Sequence, residues 1–197
     1  AAAAVVRARP VGDARRARAR GGWPGGERED RWSVTGARTT RQAFGARAGL
    51  GTDRPFLLSL CSSPFITPHE VGCVERWMSG LRASAVPELR EAGILVRPHP
   101  QNFEQWASVD LARYGNAVIF PRGGANPVDQ EARAEYFDSM FHSAGVVGVN
   151  TSGLIESGIV GRMVYTVLDP EFAGTQEGTL HFRHLLSVNG GLLHVAP

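Results

Sequence analysis

Lysine is absent from this chain of 197 residues, so all 21 of its basic residues are arginine. Because a solvated surface accepts either residue, we infer no nucleic-acid partner from this bias. Cysteine is scarce too, with only Cys61 and Cys73, twelve residues apart and without neighbouring ligands at zinc-finger spacing. Neither a disulfide framework nor a structural zinc site is indicated, and we infer a reducing compartment. We expect no cofactor, and no metal site, since the nearest pair of histidines lacks a third ligand.

Long apolar runs are also missing. None approaches the roughly 20 residues that span a bilayer, and the opening AAAAVVRARP lacks the apolar core of a secretory signal. We therefore expect no transmembrane segment and a cytoplasmic protein, or one peripheral to a membrane.

Charge is unevenly distributed along the chain. Residues 1–54 hold 12 Arg against 5 acidic residues, whereas residues 55–197 hold 9 Arg against 14. Residues 1–31 are rich in Arg, Ala and Gly with few large apolar side chains, and they are predicted to be disordered. Residues 32–54 are interpreted as a linker with a short helix around 40–48. Residues 55–197 are predicted to form one folded domain.

Within that domain, short apolar runs alternate with longer helical stretches, which is typical of βα units. Six strands are predicted, at residues 56–60, 94–97, 117–120, 146–149, 164–168 and 192–195. Helices are predicted at residues 71–82, 87–91, 131–142, 152–160 and 178–186. The strands are apolar on both faces, so the fold class is α/β, with a single doubly wound, mostly parallel sheet and helices on both faces. Ligands should bind at the edge where the loops that follow the strands meet.

The segment VVGVNTSGLIESGIVGRMVYTV contains the strongest chemical signal. Its strand ends at Asn150, and Thr151, Ser152 and Gly153 open a helix, so free N–H groups and two hydroxyls converge at the positive end of the helix dipole. This indicates a phosphate site. Glu156, one turn further on, is placed to accept hydrogen bonds from ribose or sugar hydroxyls. The alternative is that the hydroxyls only cap the helix and Glu156 only complements its dipole.

The second strand leads into ILVRPHPQN, with Arg97 at its end and His99 between two prolines. An imidazole at this edge can bind a phosphate and, if protonated, stabilise charge on a leaving nucleotide, so His99 is the candidate catalytic residue. Arg97 could add a bidentate contact or point away from the site. The alternative for His99 is a purely structural role.

Two other loops carry polar candidates. Ser62 and Ser63 form the turn after the first strand, where small hydroxyl residues suit close approach to a phosphate, although an ordinary polar loop explains them equally well. Gln176, Glu177 and Thr179 lie after the fifth strand, where donors and a carboxylate could reach sugar hydroxyls or a phosphate. Glu177 could instead be only a capping-box partner.

The helix at residues 131–142 carries several aromatic side chains at helical spacing, Tyr136 among them. We interpret these as core residues rather than as a surface that stacks on a base.

The segment VVGVNTSGLIESGIVGRMVYTV resembles a stretch of the two-domain (GT-B) glycosyltransferases and of the related UDP-N-acetylglucosamine 2-epimerases. In that superfamily the Ser-Gly turn holds the nucleotide diphosphate and the helix Glu binds the ribose, which implies those roles for Ser152, Gly153 and Glu156. ILVRPHPQN is similar to the His-Pro element of capsule-type sugar transferases and glycerophosphotransferases. The resemblance covers about 140 residues and only the donor-binding half of such enzymes.

The resemblance implies the donor domain of a glycosyltransferase of glycan or capsule synthesis, which binds a nucleotide diphosphate sugar. A separate acceptor-binding domain or chain would complete it, and the domain alone would be inactive. The alternative is a non-catalytic nucleotide- or phosphate-binding module, or the remnant of a truncated gene. An epimerase is disfavoured because no acidic pair flanks a sugar site.

Overall fold

The computed structural model of the protein describes residues 36–196, in which six strands form one sheet with every neighbouring pair parallel. The strands are β1 Phe56–Leu60, β2 Gly93–Arg97, β3 Ala117–Ile119, β4 Gly145–Gly148, β5 Val164–Thr166 and β6 Leu193–Val195. The α/β class and the six predicted strands are confirmed. The disordered segment predicted at residues 1–31 lies outside the described residues.

Six α-helices connect or flank the strands. They are α1 Arg41–Ala48, α2 Glu70–Arg82, α3 Pro87–Arg90, α4 Gln130–His142, α5 Ser152–Ile159 and α6 Leu180–Ser187. Short 3₁₀ turns cover Glu104–Trp106, Ala112–Tyr114, Pro170–Phe172 and Val188–Gly190. Each predicted helix is present, and most boundaries move by a residue or two.

The strand order, β3-β2-β1-β4-β5-β6, places the functional edge. Strands β2 and β3 lie on one side of β1, and β4, β5 and β6 lie on its other side. The direction in which the chain adds strands therefore reverses between β1 and β4. A crevice opens beyond the carboxyl ends of the strands at such a reversal. The register aligns Leu60 at the end of β1 with Arg97 of β2 and with Gly148 of β4. The loops after these three strands therefore start side by side.

The helices are divided unequally between the two faces of the sheet. One face packs against α1, α4, α5 and α6 through a core that includes Phe44, Met140, Leu154 and Phe182. The other face packs against α2, α3 and the 3₁₀ turns between β2 and β3. Beside α2 and α3, that second face retains an apolar cavity of about 460 Å³, which includes Tyr165 in its wall.

The segment interpreted as a linker is packed onto this domain from residue 38 onward. Phe44 of α1 is fully buried and its ring stacks on Phe56 at 6.0 Å. The buried carboxylate of Asp138 in α4 accepts hydrogen bonds from the backbone N–H groups of Arg38 at 3.0 Å and Thr39 at 3.1 Å. Helix α1 is thus part of the folded unit.

None of the helices between residues 36 and 196 combines the length and the apolar character needed to cross a bilayer.

Candidate functional site

A pocket of about 200 Å³ lies at the carboxyl edge of the sheet, between the loops that follow β1, β2 and β4. Its walls bring together five of the residues predicted from the sequence, Arg97, His99, Thr151, Ser152 and Glu156. This is the place where the reversal of strand order opens a crevice. Residues that are far apart in the chain therefore converge on one concave surface.

The amino terminus of α5 forms one wall of the pocket. Thr151 is the residue that precedes the helix, and its side chain makes no capping hydrogen bond. The simple capping role considered for Thr151 is therefore not realised, and Ser152 is exposed. The first N–H groups of a helix have no partner within it, so this wall presents donors to an anion.

Gly153 lets that helix end approach the pocket wall closely. A Cβ at this position would lie 2.7 Å from the hydroxyl oxygen of Tyr136 and 2.9 Å from Cδ1 of Leu60. Contacts this short would force the helix start to shift. Packing within the fold is therefore enough to explain the glycine at position 153, without any ligand.

Arg97 provides a buried positive charge in the pocket wall, where its side chain is only 4% exposed. Its guanidinium lies 3.4 Å from a carboxylate oxygen of Glu135, longer than a typical charge-assisted hydrogen bond. Glu135 also lies 3.7 Å from Arg47 of α1. Burial lowers the pKa of Arg97, and Glu135 opposes this effect. Two guanidinium groups share one carboxylate, which leaves one positive charge of this group of three without a counter-charge.

His99 is fixed in one neutral tautomer. Its Nδ1 accepts a hydrogen bond from the backbone N–H of Gln101 at 3.1 Å, so Nδ1 carries no proton. Burial lowers the pKa of His99, which favours the neutral ring. The remaining ring nitrogen, Nε2, then carries the proton and can donate to a ligand. The protonated imidazolium considered from the sequence is disfavoured here.

Glu156 and Tyr136 are neighbours in the pocket wall. Glu156 belongs to α5 and Tyr136 to α4, and both line the pocket. Burial raises the pKa of the Tyr136 hydroxyl, and the neighbouring Glu156 carboxylate raises it further. The Tyr136 ring also lies under the Arg97 guanidinium, 5.2 Å from ring centroid to Cζ. The phenol therefore stays un-ionised beside a carboxylate.

Ser62 is close to the pocket but does not line it. It is completely buried, and both carboxylate oxygens of Glu70 accept its backbone N–H at 3.0 Å. Its carbonyl accepts from Asn102 Nδ2 at 3.1 Å, and its hydroxyl accepts from the backbone N–H of Asn150 at 3.3 Å. Ser62 thus ties the loops after β1, β2 and β4 together. Ser63 is half-buried and lies outside the pocket wall.

The three candidates after β5 also lie outside the pocket wall. Gln176 is fully buried, and its Nε2 donates to the carbonyls of Val149 at 2.9 Å and Val167 at 2.8 Å. Thr179 donates its hydroxyl to the Gln176 carbonyl at 2.8 Å, and Glu177 is exposed. Gln176 thus links the segments that follow β4 and β5 through buried hydrogen bonds. The ligand contacts expected for Gln176, Glu177 and Thr179 stay a prediction.

Asn126 and Tyr136 line the pocket although the sequence did not single them out for binding. Helical spacing shows only that Tyr136 has one side toward the core, where it does pack. Its pocket-facing side depends on the position of α5, which no local pattern reveals. Among residues 36–196, no group of three or more His, Cys, Asp or Glu side chains is placed to hold a metal ion.

No family model matches the chain, and no curated protein is significantly similar to it. The chemistry of the pocket is then what points to a function.

Proposed function

We propose that the domain binds a nucleotide diphosphate sugar and serves as the donor-binding half of a glycosyltransferase. The proposal rests on one observation, that two sources of positive electrostatic potential line the same pocket. The buried guanidinium of Arg97 and the amino terminus of α5 both face it. Arg97 shares the Glu135 carboxylate with Arg47, so this group of three keeps one positive charge in excess, which a diphosphate would balance.

The remaining groups of the pocket suit the other parts of such a ligand. His99 offers Nε2–H to a phosphate oxygen, and Glu156 offers a carboxylate to ribose or sugar hydroxyls. The pocket volume of about 200 Å³ is below the roughly 300 Å³ of a small ligand pocket. We therefore expect the pocket to hold only part of the ligand, the diphosphate and one adjoining ring. The rest of the ligand would lie along the open rim. The sequence resemblance to GT-B donor domains supports the same assignment.

The chemistry that this site would perform is electrostatic. When the bond between the sugar carbon and the diphosphate oxygen breaks, the oxygen keeps the electron pair and the sugar ring becomes cationic. Arg97, His99 and the α5 amides would stabilise the departing anion without moving, because their positions are set by the fold. His99 acts here as a hydrogen-bond donor, since the lone pair of its Nδ1 already accepts from Gln101.

An acceptor hydroxyl would need a base from elsewhere, and we propose a separate acceptor-binding domain or chain as its source. The same observation favours a second candidate function, a nucleotide- or phosphate-binding module without catalysis. The two are distinguished by incubating the protein with the nucleotide sugar that it binds and following release of the free nucleoside diphosphate. Slow release that depends on His99 supports a transferase, whereas binding without release is expected both of the module and of a donor domain that lacks its acceptor-binding partner.

Calorimetric titration with UDP, CDP and GDP tests the donor-site proposal. We expect at least one of the three to bind, and we expect Glu156→Ala and His99→Ala each to weaken that binding about tenfold or more, because each removes a hydrogen bond that involves a charged partner. Matched controls are Glu88→Ala on the exposed surface of α3 and His194→Ala on β6, which should change nothing. A folded wild-type protein that binds none of the three nucleotides would overturn the proposal.

A further inference from the structure

Tyr136 belongs to a helix that packs on the core, yet it also lines the pocket. One side of its ring packs on the core, and the other side lies 5.2 Å from the Arg97 guanidinium. Its hydroxyl oxygen lies at the amino terminus of α5, where only a glycine at 153 leaves it room. The hydroxyl is thereby brought beside the carboxylate of Glu156.

These two groups have complementary hydrogen-bonding character. A carboxylate only accepts hydrogen bonds, whereas a phenol with its proton can donate one. The phenol keeps that proton because burial, the negative charge of Glu156 and a hydrogen bond to that carboxylate all oppose its ionisation. A donor and an acceptor side by side match an alcohol, which donates through its proton and accepts through its oxygen.

We propose that Tyr136 is a specificity-determining residue, which together with Glu156 recognises one ribose hydroxyl of a nucleoside diphosphate. The ribose hydroxyl replaces the direct contact between the two side chains: it donates its proton to the Glu156 carboxylate and accepts the Tyr136 O–H. This inference rests on the proposed function and adds Tyr136 to the residues that select the ligand. It also gives the domain a means to distinguish ribonucleotides from their deoxy forms.

The location of the pair fits this role. Arg97 and the first amides of α5 line the same pocket, so an anion held there lies close to Tyr136 and Glu156. In a nucleoside diphosphate the phosphates and the ribose hydroxyls belong to adjoining groups, so one small pocket can contact both. The Arg97 guanidinium over the ring holds Tyr136 in a fixed orientation, which limits the entropy lost on binding.

The test compares the nucleoside diphosphate that binds best with its 2′-deoxy and 3′-deoxy forms by calorimetry. We expect the wild type to bind the ribose form about tenfold more tightly than one of the deoxy forms, since that form loses a hydrogen bond to a charged acceptor. Tyr136→Phe should weaken binding of the ribose form about three- to tenfold and leave the affinity for that deoxy form unchanged. The phenylalanine ring still packs on Arg97, so a purely structural role would not produce this pattern.

Tyr165→Phe is the matched control, because Tyr165 lies on β5 and lines the cavity on the second face of the sheet. It should leave all affinities unchanged. Glu156→Gln keeps the size of the side chain and should also reduce the preference for the ribose form. The proposed contact with the ribose hydroxyl can therefore still be tested if Tyr136→Phe does not fold.

Two results would overturn the inference while the proposed function stands. One is a wild type that binds the ribose and both deoxy forms equally. The other is a Tyr136→Phe protein that loses the same factor for every form, or loses nothing. If no nucleoside diphosphate binds the wild type at all, the proposed function falls and this inference falls with it.

Discussion

Glu70, the first residue of α2, has a carboxyl group that the fold buries almost completely against the turn after β1. Only 1% of it is exposed, and burial raises its pKa from 4.5 to about 8. The hydrogen bonds from Ser62 oppose this effect but do not cancel it. Because the same turn borders the pocket, the protonation of Glu70 affects the stability of the region that carries the site.

Stability should therefore depend on pH through Glu70. In the unfolded chain this group ionises near pH 4.5, whereas in the folded protein it holds its proton to about pH 8. The free energy of unfolding should fall as pH rises through that window, by at most about 5 kcal/mol. Glu70→Gln cannot ionise and should lack this contribution.

The measurement is urea unfolding of both proteins at pH values between 4 and 9. The difference between wild type and Glu70→Gln should change across the window and be constant outside it. Parallel curves throughout would mean that the folded protein holds Glu70 with an ordinary pKa.

Among individual residues, the sequence predicts groups that follow a strand directly and misses those whose role depends on distant partners. Arg97, His99 and Ser152 end or follow strands, and parallel strands bring their carboxyl ends to one edge. The burial of Gln176 depends on carbonyls at Val149 and Val167. Such contacts follow from the packing of loops, which no short sequence pattern encodes.

Two glycines illustrate how the elements differ in their tolerance of a side chain. Gly80 lies within α2, and a Cβ there would meet no atom within 4 Å. Gly148 ends β4, where a Cβ would lie 2.7 Å from the backbone oxygen of Leu60 in β1. A side chain therefore fits at position 80, whereas the absence of one at Gly148 allows the central strands β1 and β4 to approach closely.

Gly80→Ala should stabilise the protein by about 0.5–1 kcal/mol, because alanine loses less backbone entropy than glycine on forming a helix. Gly148→Ala should destabilise it by about 1–3 kcal/mol, because the strands must move apart. Urea unfolding of the two variants beside the wild type measures both effects. A stabilising Gly148→Ala would contradict the close packing of β1 and β4.

Among the secondary-structure elements, the strands are well predicted because each lies in a short apolar run that alternates with a longer helical stretch. The start of α6 was predicted less well, at residue 178 rather than at Leu180. A 3₁₀ turn at Pro170–Phe172 and the hydrogen bond from the Gly178 N–H to the Ala173 carbonyl hold the preceding residues out of the helix. These are contacts within a loop, where periodicity carries no information.

For the whole molecule, the packing of α1 means that the folded unit includes the residues before β1. Phe44→Ala should cost about 3–5 kcal/mol, because it removes a fully buried aromatic side chain from the core shared by α1 and the sheet. Arg41→Ala, at an exposed position of the same helix, should cost about 0.5 kcal/mol or less. Denaturant midpoints of the two variants measure the difference. Equal and small effects would mean that α1 is only loosely attached to the sheet.

The architecture of the whole domain was the most predictable feature, because strands with two apolar faces require helices on both sides. The docking of α1 is not predictable from the sequence, since Phe44 is the one large apolar residue of that helix. Its burial is secured by Asp138, 99 residues from Thr39.

The apolar cavity on the second face of the sheet has a practical consequence for work with this protein. We expect fluorescent dyes that brighten in apolar surroundings to bind in this cavity of about 460 Å³ without any unfolding, because its wall is mainly apolar. Melting curves recorded with such dyes should begin from a bright baseline and understate the cooperativity of the transition. Circular dichroism, which follows the backbone itself, is the better way to rank the variants described above.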